Sequence, residues 1–307
     1  MQRFNNWMSF SFNGVEYAKK QNESDIYSLN FNKKIKYPQI SYKEALYNNA
    51  KIMRDNFKEP FDLCLSGGTD SEVVARVFKD VGIKHNTFIF RCENNINIRD
   101  VNSATELCQQ LNIPFKIIDF NLEKFYKDEA LSLLKKTFMP HCGRLPRIKF
   151  IDYLDNLPIF CDGESYWKRL LEGDYTKKSE WHFYFTEDAH SVSIYTQNIN
   201  RTVIGDWYEY TPEVIITYLT LPYINELLDD KIYGKTSTIS SKAHIHQQIW
   251  QDLVYKPKLI GYEGENGTVG SRPKFMDSFY YQHMGNIKNK TYSYNQENLL
   301  KLLVEDS

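Results

Sequence analysis

Cysteine is scarce in this chain, with five in 307 residues and no pair spaced as CxxC. Cys64, Cys92, Cys108, Cys142 and Cys161 are odd in number and scattered, which excludes a disulfide framework or a cysteine zinc cluster and reads as free thiols in a reducing compartment. Long apolar runs are missing too: none approaches the ~18 residues that span a bilayer. The opening stretch "MQRFNNWMSFSFNG" has neither a sustained apolar segment nor a cleavage-like site. The expectation is a cytoplasmic protein with no membrane partner. Net charge is nearly absent, −1 from 38 basic and 39 acidic residues. No global basic field points to nucleic acid, although a local patch is left open. Internal repeats and low-complexity tails are also lacking. What is present is an ordinary globular balance, 42% hydrophobic and 25% charged, on a chain long enough for one large domain or two ordinary ones.

The first forty residues read as β structure, with Asn13-Gly14 between alternating apolar positions as a hairpin signal. "SYKEALYNNAKIMRDNF" then sets Ser41 and Glu44 at capping-box spacing ahead of a helical pattern. Strands at about 61–65, 86–91 and 115–119 alternate with helices at 72–81, 101–111 and 122–137, and "LPIFC" ends a further strand at Cys161. Such alternation means βαβ units and a parallel sheet. Beyond about residue 165, "EVIITYLTLPYINELL", "SSKAHIHQQIWQDLV" and "NQENLLKLLVE" carry helical periodicity. Four glycines in "GYEGENGTVGSRPK", residues 261–274, read as a mobile loop. The expected domains are a β-hairpin segment at 1–40, an ATP-binding α/β core at 41–165 and a helical substrate or lid region at 166–307.

The densest chemistry lies in "FDLCLSGGTDSEVVARVFKDVG". An apolar strand runs straight into Ser66-Gly67-Gly68-Thr69-Asp70-Ser71 and out into a helix. Gly67 and Gly68 allow close backbone approach and positive φ. Ser66 and Ser71 add hydroxyls, and the N–H groups of the helix start supply a positive dipole end. This is an anion cradle suited to phosphate, against a bare small-residue turn as the alternative. It is not a Walker A loop, because it has no GxxxxGK(S/T) and no lysine. Asp70 suits such a site when a divalent cation accompanies the phosphates.

SGGTDS after an apolar strand resembles the pyrophosphate-binding loop, SGGxDS, of the PP-loop ATP pyrophosphatase superfamily. The resemblance implies an adenine nucleotide α-hydrolase-like fold: an α/β doubly wound parallel sheet, here with a helical C-terminal half and a short N-terminal β segment. It implies ATP and Mg²⁺ as cofactors, with adenine held by backbone groups near "TFIF", ending at Phe90. Two further stretches resemble the synthetase domain of asparagine synthetase and its β-lactam-forming relatives. "IFCDGESYW" places Asp162-Gly163 where that family has an acidic residue and glycine of a G-(D/E)-G-x-D-E loop. "KPKLIGYE" resembles its RxK-x-x-G-F segment, with Lys256 for Arg, Lys258 for the catalytic lysine, and Gly261-Tyr262 for Gly-Phe.

By that resemblance Lys258 and Asp162 are catalytic, and Ser66 to Ser71 with Phe90 bind the nucleotide. Asp70 with Asp162 or Glu164 holds Mg²⁺. A solvated lysine and a strand-end turn are the plain alternatives for Lys258 and Asp162. The family's paired Asp-Glu is missing, since Ser165 and Tyr166 stand in its place. Position 2 is Gln, so no N-terminal cysteine nucleophile is available to release ammonia from glutamine. The implied function is an AMP-forming ligase or amidotransferase joining a small-molecule acid to ammonia or an amine, with a separate glutaminase as an optional partner. The alternatives are a PP-loop tRNA or nucleobase modifier and a degenerate nucleotide-binding regulator. Arg272 and Lys274 flank the glycine-rich loop, and His182, His190 and Arg201 stand as weaker pocket candidates. His244 and His246, two apart on a helix, face opposite ways and make a poor metal pair.

Overall fold

The computed structural model describes residues 5–161, 166–169, 181–199, 201–222, 241–253, 272–285 and 287–305. The chain opens with β1 (Met8–Phe12), β2 (Val15–Glu16) and β3 (Tyr27–Phe31), an antiparallel sheet in the order β2-β1-β3. Asn13 and Gly14 both take positive φ, which joins β1 to β2 with Phe12 opposite Val15, as the Asn-Gly signal implies. Helix α1 (Tyr42–Asn56) starts on the full capping box of Ser41 and Glu44. Its buried positions Tyr42, Ala45, Leu46, Asn49, Ala50 and Met53 follow helical spacing and form one inward stripe.

The centre is a four-stranded parallel sheet. Its strands are β4 (Phe61–Cys64), β5 (His85–Cys92), β6 (Phe115–Phe120) and β7 (Leu157–Ile159), in the order β6-β5-β4-β7. All four residues of β4 are buried, as a central parallel strand requires. Phe61 and Leu63 are wholly inaccessible, and burying each contributes roughly 1.5–3 kcal/mol. Asp62 survives in this strand because its carboxylate accepts from Asn86 Nδ2, Asn156 N and Asn156 Nδ2 at 2.8–2.9 Å. Helices α2 (Thr69–Asp80) and α3 (Ile98–Leu111) connect the first three strands. The predicted helix over 122–137 is two, α4 (Leu122–Asp128) and α5 (Ala130–Thr137), broken at Glu129 with φ −122° and ψ −33°. A short helix α6 (Leu145–Phe150) leads towards β7.

The later half holds helices, including Pro212–Leu219, Ser241–Ile249, Lys274–His283 and Gln296–Leu303. It also holds an antiparallel sheet that helical periodicity did not foresee, β10-β9-β8, from β8 (Tyr166–Arg169), β9 (Trp181–Thr186) and β10 (Thr291–Tyr294). One continuous apolar core joins the two antiparallel sheets, α1, the parallel sheet and the C-terminal helix, through residues such as Trp7, Tyr27, Leu46, Phe78, Phe183, Trp207 and Leu299. No helix among the described residues is long and apolar enough to cross a membrane.

Candidate nucleotide site

Strand order reverses between β4 and β7: the chain steps outward from β4 to β5 and β6, then returns to the other side of β4. In an open parallel sheet the crevice at such a switch point, beyond the carboxyl ends of the strands, is where ligands bind. Ser66 to Ser71 leave β4 at that point.

Sequence spacing started the following helix at about Glu72, but α2 begins at Thr69, with Gly68 at the N-cap. Thr69, Asp70 and Ser71 are thus the first helical turn, and the motif's own N–H groups form the helix end. No side chain caps α2. The geometry of a helix start leaves those first amides without intrahelical acceptors, which suits an anion.

The loop is braced from within. Ser71, buried, accepts from Ser66 N at 3.2 Å and donates to Gly68 O at 3.0 Å, and its Oγ lies 3.0 Å from Ser66 Oγ. Ser66 and Gly68 are exposed, whereas Thr69 and Asp70 are half-buried. Gly67 has φ +80°, and a Cβ there would lie 2.1 Å from the Asp100 carbonyl oxygen. Ser103 Oγ on α3 donates to Gly67 O at 3.1 Å, so the loop is pressed against the start of α3. Tyr208 OH donates to Asp70 O at 2.9 Å. Glu72, the second acid in the first turn, is buried and held at 2.8 Å by Arg76, which also grips Asp252.

Phe90 lies on β5 with its ring stacked on Phe150, centroids 3.9 Å apart and planes 7° from parallel. Its carbonyl accepts from Asn97 Nδ2 at 2.9 Å, while Asn97 Oδ1 accepts from Cys92 N at 2.8 Å. Asn97 thereby pins the end of the strand the sequence proposed for adenine. Cys161, just past β7, contacts the Cys64 carbonyl through its thiol at 3.8 Å. Burial drives both thiols well above the ordinary range. The negative charge of Asp70 raises Cys161 further, while Arg147 on α6 pulls both down.

Asp162, Glu164, Lys256, Lys258 and residues 261–271 lie outside the described residues. Arg272 is occupied elsewhere: it pairs with Asp277 at 3.1 Å, donates to Cys142 Sγ at 3.2 Å and covers the Tyr280 ring. Arg201 donates to the carbonyls of Ile151, Leu154 and Asn156, a clamp on the turn before β7 rather than an open substrate contact. His246 is buried, stacked on Tyr42 with centroids 6.0 Å apart. His190 is buried as well, with Nε2 2.9 Å from Glu209 Oε2. Burial alone would lower its pKa, but the Glu209 carboxylate lifts it to about 9.

Sequence reasoning missed Asn97, Ser103, Arg147 and Tyr208. None stands at a motif position. The only available signal was the Asn-Asn-x-Asn run after β5, which marks a turn without saying what it ties.

Residues 62–149 match the family model described as tRNA methyl transferase HUP domain, a stretch from β4 through α6. No curated protein matches the chain. Among solved structures, NMN synthetase from Francisella tularensis is similar at 18% identity and TM-score 0.31, covering 71% of this chain and 97% of that one. The NH3-dependent NAD synthetase from Campylobacter jejuni subsp. jejuni is similar at 16% identity and TM-score 0.33, covering 80% and 92%. The matched stretch carries the SGGTDS loop together with β5 and β6 of the parallel sheet.

Proposed function

We propose that the protein is an ATP-dependent, AMP-forming ligase or amidotransferase. It adenylates a substrate carboxylate and passes the acyl group to ammonia or an amine, as the synthetase domain of asparagine synthetase does. The observation that carries this reading is the lysine-free, internally braced SGGTDS loop whose first-turn amides open α2 at the sheet's switch point. Backbone N–H groups beside a carboxylate are a donor set that fits a Mg²⁺–phosphate group. ATP, once bound with Mg²⁺, supplies an α-phosphorus open to a carboxylate oxygen, with pyrophosphate as the leaving group. The chain's own part is electrostatic and positional. The α2 amides hold phosphate oxygens, Asp70 with Asp162 or Glu164 carries the cation, and Lys258 offsets charge that develops during transfer.

The HUP-domain match favours a second reading, a tRNA-modifying PP-loop enzyme. Cys64 and Cys161 border the loop, but burial raises both thiols away from the thiolate a sulfur-transfer step needs. Incubation with α- and γ-labelled ATP, candidate carboxylic acids and ammonia, with co-purified RNA assayed in parallel, tests the proposal. AMP and pyrophosphate that depend on a small acid support it. ADP and phosphate as the sole products sink it, and turnover that depends on RNA alone transfers the site to the second reading.

A further inference from the structure

A segment at 203–209 runs beside β7, with Ile204 N donating to Pro158 O at 2.9 Å and Phe160 N to Ile204 O at 2.8 Å. It carries Asp206 and Glu209 inward, where they meet His190 from the turn after β9. All three are at least 98% buried, at 0%, 2% and 2% exposure. Each offers a ligand atom, and those atoms lie within 4.8 Å of one another. Asp206 Oδ2 accepts from Ser193 Oγ at 2.7 Å, but its Oδ1 is buried with no hydrogen bond. A fully buried carboxylate oxygen left bare is costly unless something occupies the space it faces.

The ring orientation points the same way. His190 Nδ1 sits 3.1 Å from the Thr186 carbonyl oxygen and 2.8 Å from Tyr27 OH on β3. A proton on Nδ1 donated to that carbonyl fixes the ring, the outer-shell arrangement that orients a metal-binding imidazole. A divalent ion at the carboxylates displaces the Nε2 proton that Glu209 holds there in the metal-free protein. The 2.9 Å from Nε2 to Glu209 Oε2 matches the edge of an octahedron, about 3.0 Å for bonds of about 2.1 Å. Once the ion has displaced the Nε2 proton, the two carboxylates and the imidazole carry −2, which a divalent ion cancels. Lys20 is already paired with Glu187 nearby.

We propose that His190, Asp206 and Glu209 form a buried site for one divalent transition-metal ion, distinct from the nucleotide loop. One nitrogen and two carboxylate oxygens suit manganese, iron, cobalt, nickel or zinc. The ion ties the turn after β9 to the 203–209 segment, with β3 attached through Tyr27. Tyr208 on that segment backs Asp70, so the metal stiffens one wall of the loop without entering it.

The test is a count of metal per chain. The full chain is produced under manganese, iron, cobalt and zinc supply in turn, desalted and analysed by mass spectrometry, together with Asp206→Asn and Asp70→Asn. The expected result is close to one ion per wild-type chain and per Asp70→Asn chain. Asp206→Asn should show a loss of about tenfold or more. Cobalt-loaded protein should show weak d–d bands without sulfur-to-metal charge transfer. The proposal is overturned by a folded wild type that is metal-free from every supply, by equal occupancy in a folded Asp206→Asn, by loss of the ion in Asp70→Asn, or by an intense thiolate–cobalt band that puts the ion on cysteine. Should Asp206→Asn fail to fold, the wild-type count and the cobalt spectrum decide between the same outcomes.

Discussion

Replacing Gly67 by alanine probes the loop where its geometry is tightest. Its φ of +80° costs an alanine about 1 kcal/mol relative to glycine. The added methyl would sit 2.1 Å from Asp100 O, 2.9 Å from Asp100 C and 3.1 Å from Asp100 Cα, all backbone atoms that no rotamer change can move aside. Either the loop or the first turn of α3 must shift by roughly 1 Å, an overpacking cost of about 1–3 kcal/mol. The shift also strains the bond from Ser103 Oγ to Gly67 O. The expected loss is about 2–4 kcal/mol of stability, read as a lower urea midpoint at unchanged slope. ATP binding should vanish in calorimetry. Gly68→Ala is the control: its φ is −80° and the nearest atom to its Cβ is Ser66 Oγ at 3.5 Å. That variant should stay within about 0.5 kcal/mol of wild type, while its methyl, on the exposed side of the loop, weakens phosphate binding. A Gly67→Ala protein with wild-type midpoint and wild-type ATP affinity would refute the packing argument.

Asp70→Asn should keep the melting temperature and lose ATP–pyrophosphate exchange by about 10²–10³-fold, because a half-buried carboxylate at a helix start contributes little to the core and, in the proposed function, carries the cation; equal exchange removes it from the site. Lys258→Ala should bind ATP normally and lose about 10²–10³ in kcat, as fits a charge used in the transition state, and a wild-type kcat would reduce it to a surface lysine. His85 gives a pH signature. Burial holds its ring below the ordinary 6.5, with Nδ1 at 2.9 Å from Ile83 O and Nε2 buried without a partner. The unfolded chain gains a proton as pH falls through about 6.5 and the folded chain does not. Stability is therefore complete above that pH and declines below it, by at most about 1.4 kcal/mol per pH unit, until the folded ring itself titrates. Melting curves from pH 7.5 to 5 should show this decline in wild type and a smaller one in His85→Gln; identical slopes would remove His85 as the cause.

Elements whose determinants lie within a few residues were readable in advance. The Asn13-Gly14 turn, the Ser41–Glu44 capping box and the strand into SGGTDS each encode their geometry locally, and each appears in the structure. The start of α2 was misplaced by three residues because small polar residues read as loop, whereas here they form the first helical turn after a glycine N-cap. The β10-β9-β8 sheet escaped notice for a different reason. Thr291 pairs with Thr186 more than a hundred residues away, and "WHFYFT" is aromatic on both faces, so no alternation marks it as a strand.

The same distinction divides the candidate site. Residues that touch a ligand are restricted by its chemistry: amides and glycines for phosphate, carboxylates for a cation. Such restriction leaves a motif. Residues that brace the loop need only present a donor at the right point in space. Ser103 reaches Gly67 from 36 positions on, Asn97 reaches Phe90 from 7, and Tyr208 reaches Asp70 from 138. Many side chains could serve each role, so no spacing is fixed and no signal survives in one sequence. The buried triad belongs to this second group as well. His190 and Glu209 are 19 residues apart and Tyr27 is 163 from His190, and only the folding of three segments against one core makes a ligand set of them.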